Sequence, residues 1–174
     1  FEIHNEPTLT TEGWKPAWQD GAEFATWWLT VREALKADMP DALWGFPGLS
    51  PGTDIDKLRT SALRFMEEAQ DAINAADWLG VHCYWQTEDM MNSEDGGQFY
   101  RRIPYTHIPM LITEFSNPAS GINKTVKAEQ YNRYLTTLHS SNIKAAFCFI
   151  STASSGFEQE TWTADMARIV GARP

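Results

Sequence analysis

What most constrains the fold of this chain is a regular exchange between short, almost continuously apolar runs and longer segments with helical spacing. The sequence opens on FEIHNEP, where Phe1 and Ile3 alternate with polar residues and lead into Asn5, Glu6 and Pro7. A helix is expected next. Asp20 with Glu23 has the form of an N-cap and its capping box, and Phe24, Trp27, Trp28, Val31 and Leu35 recur at helical spacing until Met39 and Pro40 end it. ALWGFPG (42–48) reads as a short strand closed by Pro and Gly. Residues 54–77 read as a second helix with Leu63, Met66, Ala69 and Ile73 on its buried side. WLGVHCYW (78–85) is the next strand, and an acidic, Gly-containing loop (86–97) leads to a short helix near QFYRRI (98–103). PMLITEF (109–115) is again a strand, residues 125–142 a helix with Tyr131, Tyr134, Leu135 and Leu138 on one stripe, IKAAFCFIS (143–151) a strand and 161–172 a closing helix.

Strand and helix thus alternate about five times, and strands that are apolar throughout belong to a parallel sheet covered by helices. One domain over 1–174, of α/β class, is expected. Two architectures accept the order: an open doubly wound sheet, or part of a (β/α) barrel. The first calls for a Gly-rich phosphate loop after a strand, and the sequence has none. It has instead polar, reactive side chains at the carboxyl end of strand after strand: Asn5 and Glu6, then His82, Tyr84 and Trp85, then Glu114, then Ser151. In a barrel those ends converge on one mouth, where the chemistry of such folds sits, so a partial barrel of TIM type with about five β/α units is expected.

Charge narrows the partners. A net charge of -9 without any basic cluster repels phosphate backbones and anionic lipid, and no apolar run approaches a membrane span, so neither nucleic acid nor a membrane is expected as a partner. Cys83 and Cys148 lie in apolar runs without CxxC or Cys/His spacing, which reads as two buried free thiols. The His and Glu residues show neither HExxH nor HxH spacing, so no metal site and no cofactor are expected. Asn123, Lys124 and Thr125 fit a glycosylation sequon, a triplet short enough to arise by chance.

The chemistry lies in Glu6 and Glu114, each at the end of a β-prone run. Cleaving a glycosidic bond takes one carboxyl group that is protonated, to release the leaving group, and one that is ionised, to attack or stabilise the cation-like centre. Two strand-end Glu residues around one mouth supply such a pair. His82 and Tyr84 are two apart on a strand and share a face, so the Tyr84 hydroxyl is placed to donate to an ionised Glu114 and His82 to bind a sugar hydroxyl. Trp85, just past the strand, is the expected sugar platform, because an aromatic face stacks on a pyranose. Trp14, Trp18 and Trp162 are rim candidates, whereas Trp27, Trp28, Trp44 and Trp78 are expected in packing, and Glu2 and His4 in a polar network below the site. Each residue has a plainer reading when taken singly: a Glu before Pro is more often a solvated or capping carboxylate, and a lone His a satisfied core residue.

HNEP, VHCYW and ITEF, in that order and with helices of fitting size between them, resemble the fourth, sixth and seventh strand ends of the retaining (β/α)8 glycoside hydrolases. The likeness is greatest to cellulase- and mannanase-like members of the family-5 type, whose motifs read NEP, HxY and EFG, and it spans the chain as the C-terminal five or so of the barrel's units. The resemblance implies hydrolysis of a β-linked polysaccharide or oligosaccharide by retaining double displacement, a carbohydrate partner, and a compatible secreted or extracytoplasmic location. It implies Glu6 as acid/base, Glu114 as nucleophile, Asn5 as partner of the sugar 2-hydroxyl and Tyr84 as the residue that orients the nucleophile. Ser116 departs from the family's Gly after EF, and FCFIST stands where a stacking Trp is common. The resemblance further implies that the free edge strands are held by a separate N-terminal barrel portion or by a second copy. The alternative is a truncated, non-catalytic carbohydrate-binding or scaffold remnant of such a barrel.

Overall fold

The structure, a computed structural model, describes residues 1–138, 142–152 and 155–172. Its centre is one parallel sheet whose strands run in chain order: β1 (Gly45–Phe46), β2 (Trp78–Tyr84), β3 (Met110–Ser116) and β4 (Ile143–Cys148). Parallel neighbours need crossover connections, and helices supply them. The helices are α1 (Gly21–Asp38), α2 (Ala62–Glu68), α3 (Gln70–Ala75), α4 (Glu88–Met91), α5 (Lys124–Leu138) and α6 (Ala164–Gly171), with a 3-10 turn at Phe99–Arg102. The architecture is α/β. Leu79 to Cys83 are buried on both faces of β2, which explains why this run is apolar almost throughout.

The core is aromatic. Phe24 and Trp28 of α1 meet Phe46 and Phe65, and Phe115 of β3 meets Tyr131 and Tyr134 of α5; each of these rings is at most 1% exposed. Truncating any one of them to Ala costs roughly 3–5 kcal/mol. Asp20 caps α1 as expected, accepting from the Glu23 amide at 2.9 Å. The buried stripe of α1 passes through Phe24, Ala25, Trp28 and Arg32, so Trp27 is left 39% exposed.

Several expected elements differ in the structure. The opening run is not a full strand: it pairs at one bridge, Glu2 with Gly45, and then kinks, with His4 and Glu6 in left-handed backbone at φ 78 and 41. Hydrogen bonds from the Ile3 amide to Gly45 O (3.2 Å) and from the Glu6 amide to Gly48 O (3.0 Å) bracket the kink. β1 is only two residues long, because Pro47 offers no N–H to continue a ladder. Residues 54–60 are not helical. Asp54 Oδ1 accepts from the Ser61 amide, Ser61 starts α2, and antiparallel bridges from Arg59 to Ile55 and to Leu9 tie this loop to the segment after Glu6. The second helix also breaks at Ala69 into α2 and α3. The acidic loop carries α4, capped by Thr87, and the helix predicted over 125–142 ends at Leu138, its tail at 139–141 lying outside the described residues.

Candidate active site

The polar end of the sheet is built by three segments at their carboxyl ends. β2 alternates, so His82 and Tyr84 point to the inner face while Cys83 and Trp85 point out under the helices. β3 does not alternate cleanly: the β2–β3 register slips after Val81, so that Val81 faces Ile112 but His82 faces Glu114. The extra residue lets two consecutive side chains serve the same face. Thr113 Oγ1 donates to Glu2 Oε1 at 3.1 Å, and Glu114 Oε2 accepts from the Tyr84 hydroxyl at 2.5 Å. The third segment is the kinked opening run, whose left-handed turn brings Glu6 back over His82. His82 Nδ1 stands 2.9 Å from Glu6 Oε1 and 3.4 Å from Glu114 Oε2.

Two glycines make room for this cluster. A Cβ at Gly48 would lie 2.2 Å from the His82 ring, and one at Gly80 would lie 2.4 Å from Glu2 Oε1. Gly48 also gives its amide to Glu2 Oε1 at 2.7 Å. Glu2 therefore does form the floor expected of it, held by a backbone amide and a hydroxyl. His4 does not join that floor. It lies on the other side of the kink, edge-on to Trp18, Phe24 and Trp27 at ring separations of 5.1 to 5.9 Å.

The electrostatics follow from packing. Burial raises the Glu114 pKa above the usual Glu range; the His82 charge and the Tyr84 hydrogen bond pull against it, and Glu6 and Glu2 add to it. His82 is wholly buried, which opposes its charged form, yet the hydrogen bond to Glu6 and the charges of Glu114, Glu6 and Glu2 prevail and raise its pKa. Burial beside Glu114 raises the Tyr84 pKa, so the phenol stays a donor. One oxygen from each carboxylate and one His82 nitrogen lie within 4.8 Å of one another. These three are also the residues that would hold a cation, although their facing atoms are already joined by hydrogen bonds.

Asn5, Glu6, Tyr84 and Glu114 line one cavity of about 690 Å³. Of the residues singled out in the sequence, the structure brings Asn5, Glu6, His82, Tyr84 and Glu114 together. Two of the residues expected to bind sugar are buried. His82 is 0% exposed, with Nδ1 turned to the two carboxylates and Nε2 buried without a hydrogen-bond partner among the described residues. Trp85 borders the cavity but its ring is core: it is 1% exposed, parallel to Phe115 at 6.1 Å, tilted on Tyr134 at 4.6 Å, with Nε1 donating to Gln130. Strand alternation is the reason, since a residue next to inward Tyr84 must face outward. Trp18 and Trp162 are likewise packing residues rather than rim: Trp18 is buried with Nε1 donating to Pro7 O, and Trp162 stacks on Tyr131 at 5.9 Å. Cys83 is buried and Cys148 partly so, both as free thiols; burial pushes them up to about 11 and about 12.

Other lining residues were not anticipated. Phe149, just past β4, packs edge-on against Tyr84 at 6.3 Å and against half-exposed Phe157 at 5.4 Å, giving the aromatic wall that Trp85 does not. The aromatic at the end of FCF was the available signal. Glu160 also lines the cavity. It is 4% exposed, and its pKa is raised by burial against the pull of Ser116, Lys127 and Lys124. Lys127 Nζ donates to Asn117 O at 2.7 Å and to Gln159 O at 2.9 Å, pinning the Glu160 loop to the end of β3.

No protein-family model matches the chain, and no curated protein matches it. Solved structures do. The chain is similar to a GH128 endo-β-1,3-glucanase from Sorangium cellulosum, with a TM-score of 0.72 at 18% identity over 98% of this chain and 68% of that one. A GH128 endo-β-1,3-glucanase from Amycolatopsis mediterranei, solved with laminarihexaose, gives 0.64 at 16% identity over 98% and 68%. An endo-1,4-β-mannanase from Rhizomucor miehei gives 0.59 at 15% identity over 97% and 50%. At these identities the likeness is one of fold: the chain shares the α/β, parallel-sheet architecture of glycoside hydrolases that act on β-glycans.

Proposed function

We propose that the chain is a retaining β-glycan hydrolase, or the site-bearing part of one, with Glu114 as nucleophile and Glu6 as acid/base. The observation that carries this reading is the approach of the two carboxylates to within 4.8 Å around one His nitrogen, at the wall of a cavity large enough for a sugar. Retaining glycosidases need carboxyl groups about 5–5.5 Å apart, with no room for water between nucleophile and sugar. Tyr84 and His82 both engage Glu114 Oε2, so Oε1 is the oxygen presented to the anomeric carbon. Glu6 protonates the departing oxygen, a glycosyl ester forms on Glu114, and Glu6 then deprotonates the water that cleaves it. Asn5, exposed at the cavity beside Glu6, is assigned to a sugar hydroxyl.

The substrate class is taken from the structural neighbours: a β-1,3-glucan first, a β-mannan second. β4 has no strand on its outer edge among the described residues and carries Phe147 at 55% exposure, and we assign that edge to a further β/α segment or a second copy. The decisive experiment pairs both polysaccharides with azide. Wild type should release oligosaccharides with retained configuration, and Glu114→Ala should regain activity only with azide, giving the inverted glycosyl azide. Rescue of Glu6→Ala with inversion, and not of Glu114→Ala, would reverse the assignment.

A further inference from the structure

Arginines in this chain are generally paired with acid. Arg32 meets Glu33, Arg64 meets Asp54, Arg102 meets Asp95, Arg133 meets Glu88 and Arg168 meets Asp165. Arg59 has no carboxylate partner among the described residues, and it is the Arg that lines the cavity. Its placement is built. Nε donates to Thr53 O at 3.1 Å and Nη1 to Ser50 Oγ at 3.4 Å, while the Arg59 backbone is bridged to Leu9 on one side and Ile55 on the other. Gly52 lies under the guanidinium with φ +124, and a Cβ there would come within 2.4 Å of Nη2. The positive φ favours glycine at this point, and a Cβ there would displace the guanidinium. The fork lies against Gly52, with no hydrogen bond from Nη2 among the described residues, in a cavity whose other charges are Glu6, Glu12, Asp95, Glu114 and Glu160.

The position decides which part of a substrate it meets. The Arg59 loop is stitched to the Glu6 segment by Glu6 N to Gly48 O, Thr10 N to Leu58 O at 2.9 Å and Thr60 N to Thr8 O at 3.1 Å. Phe149, Phe157 and Glu160 follow β4 instead, beside the strand of Glu114. Glu6 is the group assigned to the departing oxygen, so the wall next to it is where the departing sugar lies. We propose that Arg59 is a specificity-determining residue for the leaving-group sugar, its guanidinium donating to the hydroxyl oxygens of a neutral glycan. The surrounding carboxylates repel a uronic acid and leave hydroxyls as the acceptors. This rests on the glycosidase reading above.

The test compares a β-1,3-gluco-oligosaccharide with an aryl glycoside of the same glycone, using the full-length polypeptide. A charge-assisted hydrogen bond to the departing sugar exists only with the oligosaccharide. Arg59→Met should therefore lower the ratio of oligosaccharide to aryl-glycoside kcat/KM by about tenfold or more. Arg59→Lys, which keeps the charge but not the planar fork, should restore part of that ratio. Equal losses on both substrates, or an unchanged ratio, with an active wild type, overturn the assignment alone. A wild type inert on every glycan overturns the glycosidase reading and this assignment with it.

Discussion

The two carboxylates of the cluster are held by opposite means. Glu114 sits on β3, an inner strand of the sheet, where a one-residue slip in register aims it inward against Tyr84 and His82. Glu6 sits on a kinked segment with left-handed backbone, fixed by its own amide to Gly48 O and by His82 through one oxygen. Both side chains are largely covered, Glu6 at 18% and Glu114 at 23% exposure, and both reach the cavity; what differs is the backbone that carries them, a kinked turn for Glu6 and a strand for Glu114. The contrast suits a nucleophile, which must not move, and an acid/base, which must exchange protons with both leaving group and water.

Substituting each carboxylate should break that comparison most strongly. Glu114→Ala is expected to lose turnover on every substrate, by roughly 10⁵-fold. Glu6→Ala is expected to lose about 10²–10⁴-fold on oligosaccharides and far less on aryl glycosides whose leaving group needs no proton. A plot of kcat against leaving-group pKa for each variant measures this. Parallel losses for the two variants would mean that the carboxylates share one role.

Much of this contrast was legible in the sequence, and the part that was not has a geometric reason. Strand order, parallel pairing and the strand-end positions of His82, Tyr84 and Glu114 follow from period and position alone. The kink at His4 and Glu6 was not legible, because FEIHNEP alternates like a strand and nothing local says that pairing stops at Glu2. Nor was the register slip opposite Thr113, which depends on how β2 and β3 meet. Trp85 was misread for a simpler reason: position after the strand suggested a rim residue, whereas alternation from Tyr84 already placed it outward, under α5. Arg59 and Phe149 stand on segments that the sequence reading made helix and strand, so their convergence on the cavity appears only in three dimensions.

A smaller effect separates the clamp from the carboxylate it holds. The Tyr84 hydrogen bond favours ionised Glu114, so Tyr84→Phe removes an interaction that lowers the Glu114 pKa. The acidic limb of kcat/KM reports ionisation of Glu114 and should already lie above the ordinary Glu value of 4.5. In Tyr84→Phe it should move to still higher pH, with about tenfold lower kcat from the lost positioning. A limb that moves to lower pH, or stays in place, would show that Tyr84 does not support the charged form.

The smallest effect concerns stability, and its sign follows from the same raised pKa. An unfolded chain holds Glu114 near its ordinary value of 4.5, whereas the folded chain holds it higher, so the folded state binds the proton more tightly. Below pH 4.5 the group is protonated in both states and exacts no penalty. As pH rises past that value the unfolded chain ionises first, and the folded state loses stability until its own group has ionised too. Glu114→Gln removes that cost while keeping an oxygen for the Tyr84 hydroxyl. At pH 7 it should stabilise the chain by about 1 kcal/mol, which for a protein of this size is a Tm gain of about 2–4 °C. The gain should shrink as the pH is lowered through 4.5. Thermal melts of Glu114→Gln against wild type at pH 7 and at pH 4.5 decide it: a variant that melts lower at pH 7, or a gap that widens in acid, would mean that the ionised carboxylate stabilises its neighbours rather than straining them.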